Sequence, residues 1–398
     1  MPPTPSRTVL TQLIHRITQG GSPLQFVYLP HPKWPLPQGS TDNSGIDNDV
    51  VVLPTRPLRI AVFDSSFNPP TRAHQAMVSA RMPVGLWSRG LGESTQDDSA
   101  INPTSGEEEH DDDDYDARLL LLSVKNADKE LKAGDVGYEE RMEMMRIMAL
   151  DIEESVADSQ APASSSPEQA NIAIALIATP NFTSKSTILN GALTTRLSDL
   201  LRAEAMSHYP PLAMHGAPVG GEDETVSPAK KNEEEGDSAT SNQDSDAAGD
   251  LGTTTVAPPQ CVFLLGADTL ERLFAPRYYG HADDADKDKD ETNEERMMGQ
   301  LSRMLSDEYS TGDAARVVCA QRVTPNSQRR DGEDGVPEEA KTFVEGGKIM
   351  MLDIGLDEQT YSSSAVRAGV ATKEGEWKKM VSPTIASYIA QHRLYIPI

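Results

Sequence analysis

Two short segments of the chain carry side chains that could bind phosphate, and the first is residues 60–74, IAVFDSSFNPPTRAH. Because Ser65 and Ser66 are small, the backbone N–H groups beside them can approach a ligand closely. The prolines fix a turn and bias the residue before it, so that His74 can point back over the strand end. A helix start with free N–H groups and a histidine predicts a polyphosphate site. The same pattern also fits an ordinary strand-to-helix turn with a surface histidine.

The second segment is residues 361–369, YSSSAVRAG, which follows the last apolar run of the chain. Ser362 and Ser363 suit the N-cap of a helix, and Arg367 lies one turn further in. A guanidinium at that point can bind phosphate oxygens through two parallel hydrogen bonds. Plain capping with an exposed arginine is the alternative for this segment alone. The two segments together, in this order, favour a shared phosphate site.

Six short apolar runs are the elements that must position these segments. They cover residues 58–63, 119–124, 171–179, 261–266, 315–320 and 348–354. Runs of this length suit strands buried on both faces of a parallel sheet, and helical patterns lie between them. This alternation predicts an α/β fold, a Rossmann-like doubly wound parallel sheet of about six strands. Ligands of such sheets bind outside the carboxyl ends of the strands, where both segments begin.

Charge and composition narrow the classes of partner. Of 398 residues, 36 are Lys or Arg and 62 are Asp or Glu, a formal charge of −26. That charge argues against nucleic-acid binding, because affinity for nucleic acid comes mainly from Lys and Arg. No apolar run approaches the roughly 20 residues of a membrane helix. Cys261 and Cys319 have no metal-ligand spacing, and the N-terminus lacks the apolar core of a signal peptide. We therefore expect a cytoplasmic or nuclear location and no membrane.

Acidic, Ser-rich segments interrupt the predicted domain. They lie at about 92–117, 154–170, 207–257, 280–297 and 325–340. Because they are poor in apolar residues and rich in charge, we expect disordered insertions, with binding of protein partners as the alternative. Residues 1–56 are predicted to form one helix and a Pro-rich arm that packs on a main domain of residues 57–398.

The first segment resembles the nucleotidyltransferase signature, in which a Gly-x-Phe-Asp/Asn-Pro-x-His/Thr-x-x-His loop follows the first strand. Phe67, Asn68, Pro69, Thr71 and His74 match that pattern. Asparagine at the acidic position and threonine at the first histidine position are similar to the nicotinamide mononucleotide adenylyltransferase family. The string DSSFNPPTRAH looks most like the fungal subgroup sometimes called promoter-of-filamentation proteins. The second segment resembles the family's second signature, Ile-Ser-Ser-Thr/Ser-x-hydrophobic-Arg.

Three weaker similarities extend the resemblance. LLGADTL (264–270) is similar to the family's Gly-x-Asp loop, which binds ribose and the mononucleotide, and this implies roles for Gly266 and Asp268. The segment 123–132 is similar to the lysine-bearing loop after the second strand. Lys129 is the predicted phosphate contact there, with Lys125 and Lys132 as competitors. YEER (138–141) matches the Tyr/His-x-Arg helix start that follows.

The resemblance implies adenylyl transfer from ATP to nicotinamide mononucleotide, which gives NAD and pyrophosphate. The implied catalytic residues are His74, Thr71 and Arg367. The implied ATP and phosphate contacts are Ser65, Ser66, Phe67, Lys129, Ser363 and Ser364. Mg²⁺ is expected to arrive with ATP, because it usually binds substrate phosphates and few protein ligands. No protein-only metal site is predicted.

One departure from the family leaves the acceptor open. The family places tryptophans against the nicotinamide ring, and the corresponding loops here have none. The candidates to replace them are Phe182, Phe274, Tyr278 and Tyr279. One alternative is therefore a nucleotidyltransferase with another phosphate acceptor or with CTP, although Asn68 and Thr71 weigh against CTP. The other is a nucleotide-binding interaction or regulatory protein with residual ATPase activity.

Overall fold

The structure is a computed structural model, and it describes most of the chain in eight stretches. These are residues 6–37, 56–87, 114–124, 135–159, 170–208, 257–280, 291–321 and 336–396. In these stretches no helix is both long and apolar enough to cross a membrane.

A mixed sheet of seven strands forms the centre of the described residues. The strands are β1 (Leu24–Tyr28), β2 (Arg59–Asp64), β3 (Ala117–Ser123), β4 (Ile172–Ile177), β5 (Gln260–Gly266), β6 (Arg316–Ala320) and β7 (Ile349–Leu352). Their order across the sheet is β1-β4-β3-β2-β5-β6-β7. Strands β2 to β7 are parallel, and all six predicted strands are confirmed. Counted along the chain, these six follow the order 3-2-1-4-5-6 of doubly wound sheets, with the switch point between β2 and β5.

Helices cover both faces of the sheet. They are α1 (Arg7–Thr18), α2 (Arg72–Ser79), α3 (Tyr138–Ser159), α4 (Phe182–His208), α5 (Ala267–Leu273), α6 (Asn293–Met304), α7 (Lys341–Glu345), α8 (Ser363–Thr372) and α9 (Pro383–Gln391). Helices α1, α2, α3, α8 and α9 pack on one face, and α4 to α7 pack on the other. Side chains alternate along each strand, so Phe63 enters the first core and Val62 the second. The sheet is thus packed on both faces, and the connecting loops lie at the ends of its strands.

The N-terminal arm adds a strand that the sequence did not predict. β1 pairs antiparallel with β4 at the edge of the sheet. Behind it, the fully buried Trp34 donates its indole N–H to the carbonyl of Asn171 over 3.1 Å. The Asn171 side chain in turn lies 2.9 Å from the His31 ring. The arm is thus part of the packed sheet layer and not only an external helix.

Some predicted insertions are too wide at their ends. Helix α3 continues to Ser159, inside the segment 154–170, and α6 begins at Asn293, inside 280–297. A 3₁₀ turn occupies Glu338–Ala340, at the end of 325–340. At the end of 92–117, Asp116 accepts a hydrogen bond from the backbone N–H of Arg59 over 2.6 Å. The sequence did not indicate these ends of helices and strands, because they contain few apolar residues among many charged ones.

Candidate functional site

A pocket of about 370 Å³ opens at the carboxyl ends of the parallel strands. Its wall includes the residues that directly follow β2, β5 and β6, and Ile354 shortly after β7, so it lies at the switch point of the sheet. The volume falls within the range of small-molecule sites. Eight of the predicted site residues line it: Ser65, Ser66, His74, Gly266, Asp268, Ser363, Ser364 and Arg367.

The two phosphate-binding segments meet in this pocket. Arg367 donates a hydrogen bond from its guanidinium to the carbonyl of Asn68 over 2.6 Å. Ser363 donates its hydroxyl to the carbonyl of Pro69 over 2.8 Å. Ser362 is the N-cap of α8, since its hydroxyl accepts from the N–H of Ala365. Two hydrogen bonds therefore join the start of α8 to the turn that follows β2. The two segments thus lie side by side, as expected if they share one phosphate site.

The surroundings of His74 set the position of its ring proton. The backbone N–H of Thr71 donates to Nδ1 of His74 over 2.9 Å. A backbone N–H can only donate, so Nδ1 is unprotonated and the proton of the neutral imidazole lies on Nε2. Nε2 lies 3.1 Å from the hydroxyl of Ser65, which also lines the pocket. Which ring nitrogen carries the proton thus follows from the local hydrogen bonds.

Desolvation keeps His74 neutral. The half-buried ring lies against the rings of Phe63 and Phe67, with centroid distances of 5.5 and 5.7 Å. This burial withdraws the charged imidazolium from water and lowers the pKa of His74 to about 4. At neutral pH the side chain therefore offers a neutral Nε2–H donor at the pocket wall.

Thr71 and Phe67, which were predicted to bind phosphate, contact other residues of the protein in the structure. The Thr71 side chain is buried, and its hydroxyl lies 2.6 Å from Nδ1 of His74, so it orients the histidine and does not line the pocket. The Phe67 side chain is fully buried in the core against Phe63. With a φ of 45°, Phe67 is the residue of this loop that has a left-handed backbone. Ser65, at the position where the signature has glycine, has no positive φ, so a serine fits there without strain. The motif identified the loop but not which side chains face the ligand.

Asn68 is the centre of a buried network that the sequence did not reveal. Its amide NH₂ donates to Asp135 over 2.8 Å, which leaves its amide oxygen to accept from the hydroxyl of Tyr395 over 2.9 Å. Arg367 binds the backbone carbonyl of the same residue. Three regions far apart in the chain thus fix one loop residue. No spacing in the sequence could have indicated this, because Tyr395 is 327 residues away from Asn68.

Arg141 and Arg367 are the two cationic side chains among the described residues that line the pocket. Both lie near Asp135: its carboxylate oxygens are 3.9 Å from a terminal nitrogen of Arg141 and 3.9 Å from Nε of Arg367. Arg141 is buried, and its guanidinium lies over the ring of Tyr138 at 5.4 Å. Burial lowers the pKa of Arg141, while the nearby Asp135 raises it. The YEER similarity pointed to this helix start, but it gave Arg141 no role.

A buried ion pair forms another part of the wall. Asp64, the last residue of β2, lines the pocket and pairs with Lys185 of α4. The Ser123 hydroxyl also donates to Asp64 over 3.2 Å. Nζ of Lys185 lies 4.6 Å from the centre of the Phe182 ring. This pair joins the ends of β2 and β3 to the start of α4 and was absent from the predicted site.

Three further residues of the pocket wall, Gly266, Asp268 and Gln359, are suited to binding a nucleoside. A Cβ built on Gly266 would meet nothing within 4 Å, so the missing side chain leaves space, and Asp268 follows in the first turn of α5. Gln359 donates its amide NH₂ to Asp353 over 2.9 Å. Its buried amide oxygen makes no hydrogen bond in the structure. Gln359, held by its hydrogen bond to Asp353, is also one of the residues that line the pocket.

None of the four predicted stacking residues lines the pocket. Phe274 and Tyr279 are buried; Phe274 packs on Phe343, and the Tyr279 hydroxyl donates to the carbonyl of Leu273. The aromatic side chains that do line the pocket are Phe63, Tyr138 and Tyr361. The predicted phosphate contact Lys129, with its competitors Lys125 and Lys132, lies outside the described residues.

No group of three or more His, Cys, Asp or Glu side chains in the described stretches could hold a metal ion.

Comparison with known proteins finds no matching family model and no similar curated protein. Among solved structures, Plasmodium falciparum nicotinic acid mononucleotide adenylyltransferase complexed with NaAD is similar, with a TM-score of 0.34 and 12% identity over 85% of this chain and 97% of that chain. The same enzyme complexed with APC gives a TM-score of 0.33 and 11% identity, over the same shares of the two chains. Likenesses of this degree do not establish a family, so the function is argued from the residues of the site.

Proposed function

We propose that this protein is a nucleotidyltransferase that transfers the adenylyl group of ATP to nicotinamide mononucleotide, giving NAD and pyrophosphate. The observation that supports this most directly is the junction of the two signature segments. Arg367 and Ser363, from the start of α8, both bond to the backbone of the Asn68-Pro69 turn. Both segments are similar to nucleotidyltransferase signatures, and their contact lies at the edge of the sheet where such ligands bind.

The proposed reaction needs no protein nucleophile. An oxygen of the acceptor's 5′-phosphate attacks the α-phosphorus of ATP, the bond from the α-phosphorus to the bridging oxygen breaks, and pyrophosphate leaves with that oxygen. The acceptor is already an anion, so no proton must be removed from it. The protein contributes position and stabilisation of the charge that develops on the phosphate oxygens.

The pocket supplies donors for that charge. Nε2–H of His74 is the proposed hydrogen-bond donor to an α-phosphate oxygen, because the ring is neutral and its other nitrogen already accepts from Thr71. Arg367 is the proposed partner of the leaving pyrophosphate, with Ser364 beside it. Mg²⁺ would enter as part of the substrate, bound by the phosphates of ATP.

Adenine and ribose also have matching groups in the pocket wall. The fixed amide oxygen of Gln359 is complementary to the exocyclic amino group of adenine. Asp268 can accept hydrogen bonds from ribose hydroxyls beside the open space at Gly266. The proposed stacking partner for the pyridine ring is Tyr138 or Tyr361, since these line the pocket and the four residues predicted from the sequence do not.

The test is dinucleotide formation by the purified protein with magnesium-ATP and nicotinamide mononucleotide, coupled to a dehydrogenase. Nicotinic acid mononucleotide is assayed in parallel by chromatography, to establish the preferred acceptor. We expect His74→Ala to lower the rate about 100-fold or more, because it removes a donor to the reacting phosphate. His392→Ala, at an exposed histidine of the same chain, is the control. Equal rates for the two variants would contradict the role of His74.

A second candidate function is ATP binding and hydrolysis without transfer. The observation that favours it is the absence of the predicted aromatic residues from the pocket wall, which removes the expected site for a pyridine ring. Release of ADP or AMP at the same rate with and without either mononucleotide would support this function. Dinucleotide formation would exclude it as the main activity.

A further inference from the structure

Arg141 is a buried cation of the pocket wall with an unsatisfied hydrogen-bond donor. It is 3% exposed and lines the pocket. One of its terminal nitrogens is buried and makes no hydrogen bond, because Asp135 lies 3.9 Å away. A buried donor without an acceptor costs about 1–3 kcal/mol, so each one needs an explanation, of which a ligand that accepts from it is one.

The rest of Arg141 is held firmly. Its Nε donates to the carbonyl of Val136 over 3.0 Å, and its guanidinium carbon lies over the ring of Tyr138, 5.4 Å from the ring centre. These two contacts therefore fix the orientation of the guanidinium before any ligand binds. A fixed, planar fork of N–H groups matches the geometry of phosphate oxygens.

The charges around Asp135 point to the same conclusion. Arg141 and Arg367 both lie 3.9 Å from its carboxylate, beyond hydrogen-bond distance. Both guanidiniums therefore share this one carboxylate as an ion-pair partner, while Asp64, Asp268 and Glu358 also line the pocket. The two arginines are the cationic side chains that line the pocket within the described ranges, and a polyphosphate would place its charge between them.

We propose that Arg141 binds the polyphosphate of the nucleotide donor together with Arg367, and that Asp135 is the counterion with which the phosphate competes. This inference rests on the proposed function, since it names a further phosphate contact of the same site. Arg141 contacts the substrate in this account and is a binding residue, whereas Asp135 positions the two guanidiniums. Both belong to one phosphate subsite at the start of α3 and α8.

The experiment is calorimetric titration of the full chain with inorganic pyrophosphate and with magnesium-ATP, at fixed ionic strength. Arg141→Lys keeps the charge but loses the fork, and we expect it to weaken binding of both ligands about 10- to 100-fold. Arg146→Lys is the matched control on the same helix, because Arg146 pairs with Glu143 and does not line the pocket. We expect the control to stay within about twofold of the wild type.

A second variant separates ligand binding from a structural role. Asp135→Asn keeps an acceptor for the amide of Asn68 but removes the competing charge, so we expect about 3- to 10-fold tighter pyrophosphate binding. Loss of a merely structural contact would weaken binding in both variants. Should Arg141→Lys fail to fold, as judged by its melting temperature, the result for Asp135→Asn decides: no tightening overturns the inference.

The outcomes distinguish this inference from the proposed function. Wild-type binding of pyrophosphate and ATP that Arg141→Lys leaves unchanged overturns the role of Arg141 alone. Failure of the wild type to bind either ligand contradicts the proposed function as well. Titration with nicotinamide mononucleotide is the last arm: if Arg141→Lys weakens only that ligand, the residue serves the acceptor phosphate and the polyphosphate assignment is wrong.

Discussion

Replacing His74 by glutamine should make the protein more resistant to acid. In the folded protein, burial lowers the pKa of His74 to about 4, against an ordinary value of 6.5. Below pH 6.5 the unfolded chain therefore binds a proton that the folded chain does not bind, and stability falls as pH falls from about 6.5 to about 4. With these two pKa values, the free energy of unfolding falls by about 2 kcal/mol between pH 7 and pH 5.

Glutamine is the suitable replacement because it preserves the start of α2. The N–H of Thr71 now donates to the ring of His74 at the third position of the helix. Thr-x-x-Gln is itself a capping box, so the glutamine side chain can accept the same hydrogen bond. We therefore expect the variant and the wild type to have free energies of unfolding within about 1 kcal/mol at pH 7.

The assay is urea unfolding of both proteins at pH 7, 6, 5 and 4.5, with the difference in free energy plotted against pH. Other titrating groups contribute to both proteins, and their effects cancel in the difference. The variant should gain about 2 kcal/mol on the wild type by pH 5. His15→Gln, at an exposed histidine of α1, is the control for the substitution itself. A difference between His74→Gln and wild type that does not change from pH 7 to pH 4.5 would refute the argument from burial.

Two further predictions concern contacts that the sequence did not reveal. Lys185→Met leaves the buried carboxylate of Asp64 without its cation and should lower the free energy of unfolding by about 3–5 kcal/mol. Adding Asp64→Asn should recover most of that loss. Losses that are strictly additive in urea unfolding would contradict a coupled pair. Tyr395→Phe removes the donor to the amide of Asn68 and should lower the free energy of unfolding by about 1–3 kcal/mol. It should also lower the rate of transfer without unfolding the protein, whereas Tyr388→Phe, outside the pocket in the same C-terminal region, should change neither. A rate for Tyr395→Phe equal to that of this control would show that the hydrogen bond does not position the loop.

The sequence predicted those parts of the fold that depend on continuous apolar runs. β4 is buried along its whole length, and its run of Ile, Ala and Leu identified it. β1 was missed because Leu24–Tyr28 is half-buried in its centre and contains a glutamine, as suits an edge strand. α6 lay partly within a predicted insertion, since its first four residues, NEER (293–296), are polar or charged and Met297 is its first buried residue.

The residues of the site that belong to short sequence motifs could be predicted. The two signature segments identified His74 and Arg367, and the structure brings both to one pocket. The same motif could not show which side chains face the pocket. Phe67 and Thr71 were predicted to contact phosphate, but Phe67 is buried in the core and Thr71 bonds to His74 at the helix cap. Asp135 had no signal in the sequence, because its role depends on contacts that only the tertiary fold creates.

The most direct test of adenylyl transfer is the fate of the α-phosphate. The purified protein is incubated with magnesium-ATP labelled at the α-phosphorus, with each pyridine mononucleotide in turn, and the products are separated by chromatography. We expect the label to appear in the dinucleotide, in an amount equal to the pyrophosphate released, and His74→Ala to lower the rate of formation of both products together by about 100-fold or more. Label recovered in ADP or AMP, with no labelled dinucleotide from either acceptor, would contradict adenylyl transfer.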